Sequence, residues 1–330
     1  MSNIFKVSQS KVKLWRKCHF AAHLRYVEKL RRKRVPRPLM FGRLVHDMIE
    51  AYANGDDAFD KLAELTKKNG PMFRAEAEEY GEIVDDVRVI MTDYFEYWDK
   101  DKNSITYVRM NKKGAEHTFE VEIADGIIAT GKIDAVVKTP NRLRWLAEHK
   151  SFGRMPNEDH RWRNLQGSIY IRIMEMLGLP PVDGTMWDYI WSKPPGRPQM
   201  LKGGGLSKKM LVTLPTRVRD VLKQHKLSST DYKRLLQMGE QSRKSYFVRI
   251  FNPARKKVID HIYADFVKTA TDMADRLGHE KEMNIDRHCD WCEFEPICRA
   301  LLQGSDVEFV KKKEFEKHVK ETHDDPDFEA

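Results

Sequence analysis

Apolar positions recur at helical spacing from residue 8 to 30, where Val12, Leu14, Trp15, Cys18, Ala22, Tyr26 and Leu30 form one stripe. Ser8 and Ser10 are candidate caps for that helix. A basic, proline-containing link (31–38) precedes a second helix over 41–54, whose stripe is Phe41, Leu44, Val45, Met48, Ile49 and Tyr52. Asn54-Gly55 supplies its stop. A longer, charged helical stretch covers 73–99. The period then changes to two. HTFEVEIA (117–124) alternates, Asp125-Gly126 offers a hairpin turn, and 127–138 reads as a second strand that Thr139, Pro140 and Asn141 break. Residues 143–150 read as a third strand, 158–177 as a helix and 184–192 as a fourth strand. Prolines and three consecutive glycines make 193–209 a loop. A helical region (215–240), a strand (245–252) and a helix (253–278) follow. The residues after 305 are highly charged and read as a frayed helix or a disordered tail.

This order implies an α/β protein with a central mixed sheet flanked by helices, built as one domain over 1–305 with a charged tail at 306–330. The apolar fraction of 41% suffices for a globular core. No run of 18 apolar residues spans a membrane, and the first residues lack the apolar core of a signal peptide, so a cytoplasmic protein is expected. The formal charge is +9, with dense basic runs at 31–34, 208–209 and 311–313. Such a surface suits a polyanion, nucleic acid foremost, although a solvated lysine-rich surface looks the same. RRKRVPR reads as a DNA contact, a localisation signal or a plain linker. KGGGLSKK lacks the spacing of a phosphate-binding loop and reads as a flexible loop.

Three polar residues stand out on the strands. Asp134 follows GKI, and Glu148 and Lys150 share one face of the next strand. Two carboxylates and an amine around one point are what divalent-metal hydrolysis of a phosphodiester needs: oxygen ligands for Mg2+ or Mn2+, and a cation to orient water. His46 and Glu50, four apart on one helix, offer a further metal ligand or an ordinary surface pair. Gln166 and Tyr170, one turn apart, can support the lysine or touch DNA, or simply belong to the helix surface. Trp162, Trp187 and Trp191 are candidates for stacking on bases, with core packing the commoner role.

The chain has four cysteines: Cys18, and Cys289, Cys292 and Cys298 in a C-x2-C-x5-C run. In a reducing compartment this pattern points to one four-thiolate site that ties both chain ends together. Zinc and a [4Fe–4S] cluster are both options, and the one-plus-three spacing fits paired zinc knuckles poorly.

The order G-x-x-x-H (Gly42 to His46), G-x-I-D (Gly131 to Asp134), E-x-K (Glu148 to Lys150) and Q-x-x-x-Y (Gln166 to Tyr170), closed by the cysteine triplet, resembles the RecB-like branch of the PD-(D/E)XK nucleases. It is similar to the iron–sulfur subgroup with CRISPR-associated adaptation nucleases, helicase-linked nucleases and phage exonucleases. The likeness touches 8–50, 117–192 and 285–300. The resemblance implies a catalytic core at 41–192, a family-variable insertion at 193–245, and segments 1–30 and 280–300 joined at a [4Fe–4S] cluster on Cys18, Cys289, Cys292 and Cys298. It further implies that His46, Asp134, Glu148 and the backbone carbonyl of His149 bind Mg2+ or Mn2+. Lys150 would activate or orient water, supported by Gln166 and Tyr170; the pattern around Glu50 is looser. The expected activity is a DNA exonuclease acting on single-stranded or duplex ends in recombination or repair, stand-alone or phage-borne, with a possible helicase or recombination partner. The other readings are a catalytically silent DNA-binding scaffold and a zinc-clasped structural protein. Oligomeric state leaves no signal in the sequence.

Overall fold

The computed structural model describes residues 4–68, 74–100, 104–110, 114–158 and 163–318. The chain opens with β1 (Phe5–Val7) and α1 (Gln9–Lys17), which Ser8 caps by accepting a hydrogen bond from the Lys11 N–H at 3.2 Å. The expected continuous helix over 8–30 is interrupted. Cys18 is extended (φ −166°, ψ 118°), and the chain restarts as α2 (His19–Ala22) and one π-turn (His23–Val27) before β2 (Leu30–Arg32). The break aims the Cys18 side chain away from the α1 stripe, into a small cluster with Leu24, Leu30, Phe294 and Ile297.

Helix α3 (Arg37–Asn54) starts earlier than expected, because Pro38 lies in its first turn, where a missing N–H costs nothing. It ends at Gly55, whose φ of 92° is the left-handed stop. After α4 (Ala58–Lys68), which the sequence reading missed, comes α5 (Arg74–Asp99). These helices bury Phe41, Val45, Met48, Val87, Ile90 and Met91 with their neighbours as one cluster.

The strands are β3 (Thr106–Tyr107), β4 (His117–Ala124), β5 (Ile127–Ile133), β6 (Ala135–Lys138) and β7 (Arg144–Phe152), then α6 (Gln166–Met176) and β8 (Gly184–Trp191). Helices α7 (Pro215–Gln224) and α8 (Lys233–Tyr246) lead to β9 (Phe247–Pro253), followed by α9 (Lys256–Arg276) and α10 (Glu295–Leu302). The expected strand at 127–138 is two strands in two sheets. β5 belongs to a three-stranded sheet of order β1-β5-β4, whereas β6 belongs to a five-stranded sheet of order β3-β6-β7-β8-β9. The single residue between them is Asp134. In the larger sheet β7 and β8 are parallel and the other pairs antiparallel, so it is mixed as expected. Its two faces bury different partners. Leu146 packs with Ile169, Tyr170 and Ile173 of α6, while Trp145 and Ala147 pack with Ala53 of α3 and Met186.

The segment 193–245 is tied to α5 through buried ion pairs. The Arg243 guanidinium donates to Asp93, and Asp93 also accepts the Thr216 N–H at 3.1 Å. Arg217 reaches Asp86 at 2.7 Å and Asp85 at 2.5 Å. Breaking such a pair on one side leaves a desolvated charge behind.

Two charged segments take defined places in the fold. Residues 307–317 are ordered as α11 (Val307–Glu314) and β10 (Phe315–Lys317), the latter antiparallel to β2, because Phe315 is buried against Leu30 and Phe294. The run 31–37 is largely committed to the protein itself: Arg32 donates to the Glu293 carbonyl at 2.7 Å, Lys33 to that of Lys312 at 2.7 Å, and Arg34 and Arg37 reach Glu79 and Asp86, both at 2.6 Å. Among the described residues no helix is long and apolar enough to cross a membrane.

Candidate active site

Asp134 lies where the chain passes from one sheet to the other. Ala135 pairs with Ala147, so the next position along the hairpin sets Asp134 beside Glu148. The backbone there is held twice. The Glu116 N–H donates to the Asp134 carbonyl at 2.8 Å, and the His149 N–H donates to Asp134 Oδ2 at 3.0 Å. Gly131, three residues earlier, is required by packing: a Cβ would lie 2.5 Å from the Phe119 ring and 3.0 Å from the Tyr170 hydroxyl.

Alternation along β7 separates the next three side chains. Glu148 and Lys150 share the face toward α6 and His149 takes the other. Glu148 is fully buried, with its Oε2 3.6 Å from Lys150 Nζ. Lys150 also donates to Gln166 Oε1 at 3.3 Å. The expected support of the lysine by Gln166 thus has a direct contact behind it. Tyr170 is buried edge-on to Phe119, with ring centroids 5.3 Å apart, so its ring belongs to the core rather than to an open surface.

His46 projects from α3 with Nδ1 3.9 Å from Asp134 Oδ2. A third group, which sequence reasoning passed over, completes the cluster: Glu116, His46 and Asp134 each offer a ligand atom, all within 4.8 Å of one another. Glu116 sits one residue before β4 in a left-handed conformation (φ 60°), and Asn54 at the end of α3 anchors the preceding turn by accepting the Gly114 N–H at 2.8 Å. Its only sequence signal is a carboxylate at the mouth of an amphipathic strand. Lys132 forms an ion pair with it.

The electrostatics of this group favour a cation. Burial, with Lys150 and His149 close by, brings the His46 imidazole down to about 4 despite Asp134, so its lone pair is available at neutral pH. Burial pushes Asp134 upward, but His46, Lys150 and His149 hold its carboxyl below the usual range. Burial and then the Asp134 charge push Glu116 up to about 8 against the pull of Lys132. Glu50, one turn beyond His46, adds to the negative potential felt by Glu116. Negative charge confined with a neutral imidazole and carboxylate oxygens matches the donor set that divalent metals take.

The His149 imidazole points into a buried network on the opposite face of the sheet. Its Nδ1 lies 3.2 Å from Asp188 Oδ2, which also accepts the Tyr94 hydroxyl at 2.5 Å and sits 3.4 Å from Arg249 Nε. Burial opposes ionisation of Asp188, yet Arg249 and the His149 and Tyr94 hydrogen bonds hold it near 2. The ring of His149 is therefore engaged away from Glu148 and Lys150 and stands edge-on to the His46 ring, with centroids 6.3 Å apart, while its backbone also hydrogen-bonds to His46. Asp188 is the lone acid in the apolar strand GTMWDYIW, a signal the sequence did carry.

The cysteines come together from both ends of the chain. Burial, and then the neighbouring Cys292, Cys18 and Cys289 thiols, push Cys298 up to about 12. All four are free thiols. Among the described residues no three of the sulfur atoms lie within 4.8 Å of one another. A single tetrahedral zinc ion needs sulfur–sulfur separations of about 3.8 Å, from Zn–S bonds of about 2.3 Å. Of the tryptophans, Trp187 is core, beside Phe152 and Tyr189. Trp191 is half-buried and donates to the Gly153 carbonyl at 2.9 Å. Trp162 lies outside the described residues.

No curated protein sequence matches the chain. A solved structure, the crystal structure of SSO0001, aligns with 78% of this chain and 83% of that chain at 13% identity and a TM-score of 0.31. The profile described as the PD-(D/E)XK nuclease superfamily matches residues 6–299, a span that takes in the Asp134, Glu148 and Lys150 hairpin and all four cysteines. The chain belongs to the PD-(D/E)XK nuclease superfamily.

Proposed function

We propose that this protein is a divalent-metal-dependent deoxyribonuclease that attacks DNA from its ends. The observation that carries the reading is the convergence at the β6–β7 hairpin: Asp134 held by the His149 N–H, Glu148 buried beside Lys150, and His46 and Glu116 closing on Asp134. His46, Glu116 and Asp134 would hold Mg2+ or Mn2+, with Glu148 and the His149 carbonyl on the adjoining strand. A cation bound there supplies positive charge to a phosphate oxygen and makes a water molecule more acidic. Lys150 orients that water and balances the charge that develops on the phosphate, and Gln166 fixes the ammonium by accepting its hydrogen bond. Tyr170 keeps the β5 backbone at its distance by filling the space over Gly131.

The four thiols serve as a clasp. One feature supports a [4Fe–4S] cluster over one zinc ion: the one-plus-three spacing of Cys18 and the Cys289, Cys292, Cys298 run, which fits paired zinc knuckles poorly. Protein purified without oxygen should contain iron and acid-labile sulfide; zinc without iron would refute the cluster. The nuclease reading is tested by incubating the purified protein with 5′- or 3′-labelled single-stranded and duplex DNA. Mg2+ or Mn2+ should be required, EDTA should abolish cleavage, and circularised DNA should resist. Absence of cleavage with either metal would refute it.

A further inference from the structure

Beyond the strand that carries Trp187 and Trp191, the chain forms a glycine-tipped ribbon that supplies none of the active-site residues. Strand β8 runs parallel to β7 with Lys150 beside Tyr189 and Phe152 beside Trp191. The Ser192 N–H donates to the Phe152 carbonyl at 2.9 Å, so the exit of β8 is fixed two residues past Lys150. Lys193 follows, its ammonium 5.1 Å from the Trp191 ring centre. The next residues double back on themselves. Gly196 N–H donates to Val212 O at 2.9 Å, Ser207 N–H to Gln199 O at 2.8 Å, and Leu201 N–H to Gly205 O at 3.0 Å. The tip turns through Gly204 (φ 84°) and Gly205 (φ 79°), a conformation that a Cβ would strain. The stem is rigidly seated: Leu206 is buried and its N–H donates to the Tyr232 hydroxyl at 3.0 Å.

The ribbon's surface is one-sided in charge. From Ser192 to Leu214 the sequence has Lys193, Arg197, Lys202, Lys208 and Lys209 and no acidic residue. Arg197 is spent on Asp85 at 2.8 Å, but the four lysines are exposed. Between them stand apolar side chains that a water-facing loop has no reason to display: Met210 is 86% exposed, Leu201 53% and Met200 44%. Lysines interleaved with exposed apolar groups on a seated ribbon match an unpaired DNA strand, whose phosphates meet the ammonium groups and whose bases offer apolar faces.

We propose that this ribbon, residues 193–212, is a contact for the single DNA strand that leads away from the scissile phosphate. The inference rests on the nuclease reading for the direction of that strand, and on the ribbon's own charge and exposure for the binding. It assigns a role to a segment whose prolines and glycines predict a loop over 193–209.

The test uses the full-length protein carrying Glu148→Gln to prevent cleavage, and a labelled single-stranded oligonucleotide followed by fluorescence anisotropy. Combining Lys202→Gln, Lys208→Gln and Lys209→Gln should weaken binding about tenfold or more and reduce the slope of log affinity against log salt by about 2, at roughly 0.7 per lost phosphate contact. Separately, Leu201→Ser with Met210→Ser should weaken binding without changing that slope. Unchanged affinity and slope in the lysine variant, with an unchanged melting temperature, would overturn the proposal. If the native protein cleaves no DNA but the lysine variant still loses binding, the nuclease reading falls and the ribbon contact stands.

Discussion

The Asp134 carboxylate accepts the main-chain N–H of His149 at 3.0 Å, so the acid at the junction of two sheets is clamped to the strand that carries Glu148 and Lys150. That hydrogen bond adds to the β6–β7 pairing, which already sets Asp134 beside Glu148. It uses a single lone pair of Oδ2 and leaves the carboxylate further acceptor sites for a cation.

Glu116 is the member of the cluster that no motif announced, and it gives the sharpest test of the ligand set. Glu116→Gln keeps the shape and removes the carboxyl, which a bound cation would hold in its ionised form. Mn2+ bound to the protein, followed by electron paramagnetic resonance, should show affinity reduced about tenfold or more, in the range that altered metal surroundings produce. Unaltered Mn2+ affinity would remove Glu116 from the ligand set.

Gly131 tests the packing behind the motif. With Phe119 2.5 Å from the position of a Cβ, Gly131→Ala forces the ring or the β5 backbone to move. Overpacking of this kind costs about 1–3 kcal/mol. Thermal unfolding followed by circular dichroism should show a lowered midpoint; an unshifted one would mean that Phe119 yields freely.

The buried brace between α5 and α8 governs stability rather than chemistry. Asp93→Ala leaves the Arg243 guanidinium buried, with Glu96 at 2.7 Å and Glu240 at 3.0 Å as its remaining partners. The expected loss is about 3 kcal/mol, the lower end for a broken buried pair. Urea denaturation measures it, and a loss below about 1 kcal/mol, the level of an exposed pair, would show that the remaining acids suffice.

For the clasp, Cys18→Ser should lower the iron content of anaerobically purified protein and expose the segments around residues 18–32 and 287–317 to protease. Iron content equal to that of the unaltered protein would exclude Cys18 as a ligand.

Local signals made much of this legible. Gly55 stops α3, alternation marks β4, and Glu148 and Lys150 two apart on β7 had to share a face. Legibility failed where long-range packing decides. The switch of sheets at Asp134 depends on Ile133 and Ala135 joining different core clusters, which no window around them reveals. Glu116 enters the site because Asn54, 60 positions before Gly114, accepts the Gly114 N–H and anchors the turn that precedes Glu116. Residues 307–317 are seated by Phe315 against Leu30 and Phe294, with Val307 and Val310 packed beside them. Cys18 breaks a helix that its neighbours' periodicity favours, and its thiol lies close enough to Cys292 to be felt there, a long-range contact that no window around residue 18 reveals.

The most direct test compares Asp134→Asn, Glu148→Gln and Lys150→Ala with the unaltered protein in one assay: release of nucleotides from end-labelled DNA in Mn2+, with melting temperature and bound iron measured on the same preparations. Each variant should lose cleavage by about 10²-fold or more while staying folded. Cleavage at the full rate by folded Glu148→Gln would contradict the account.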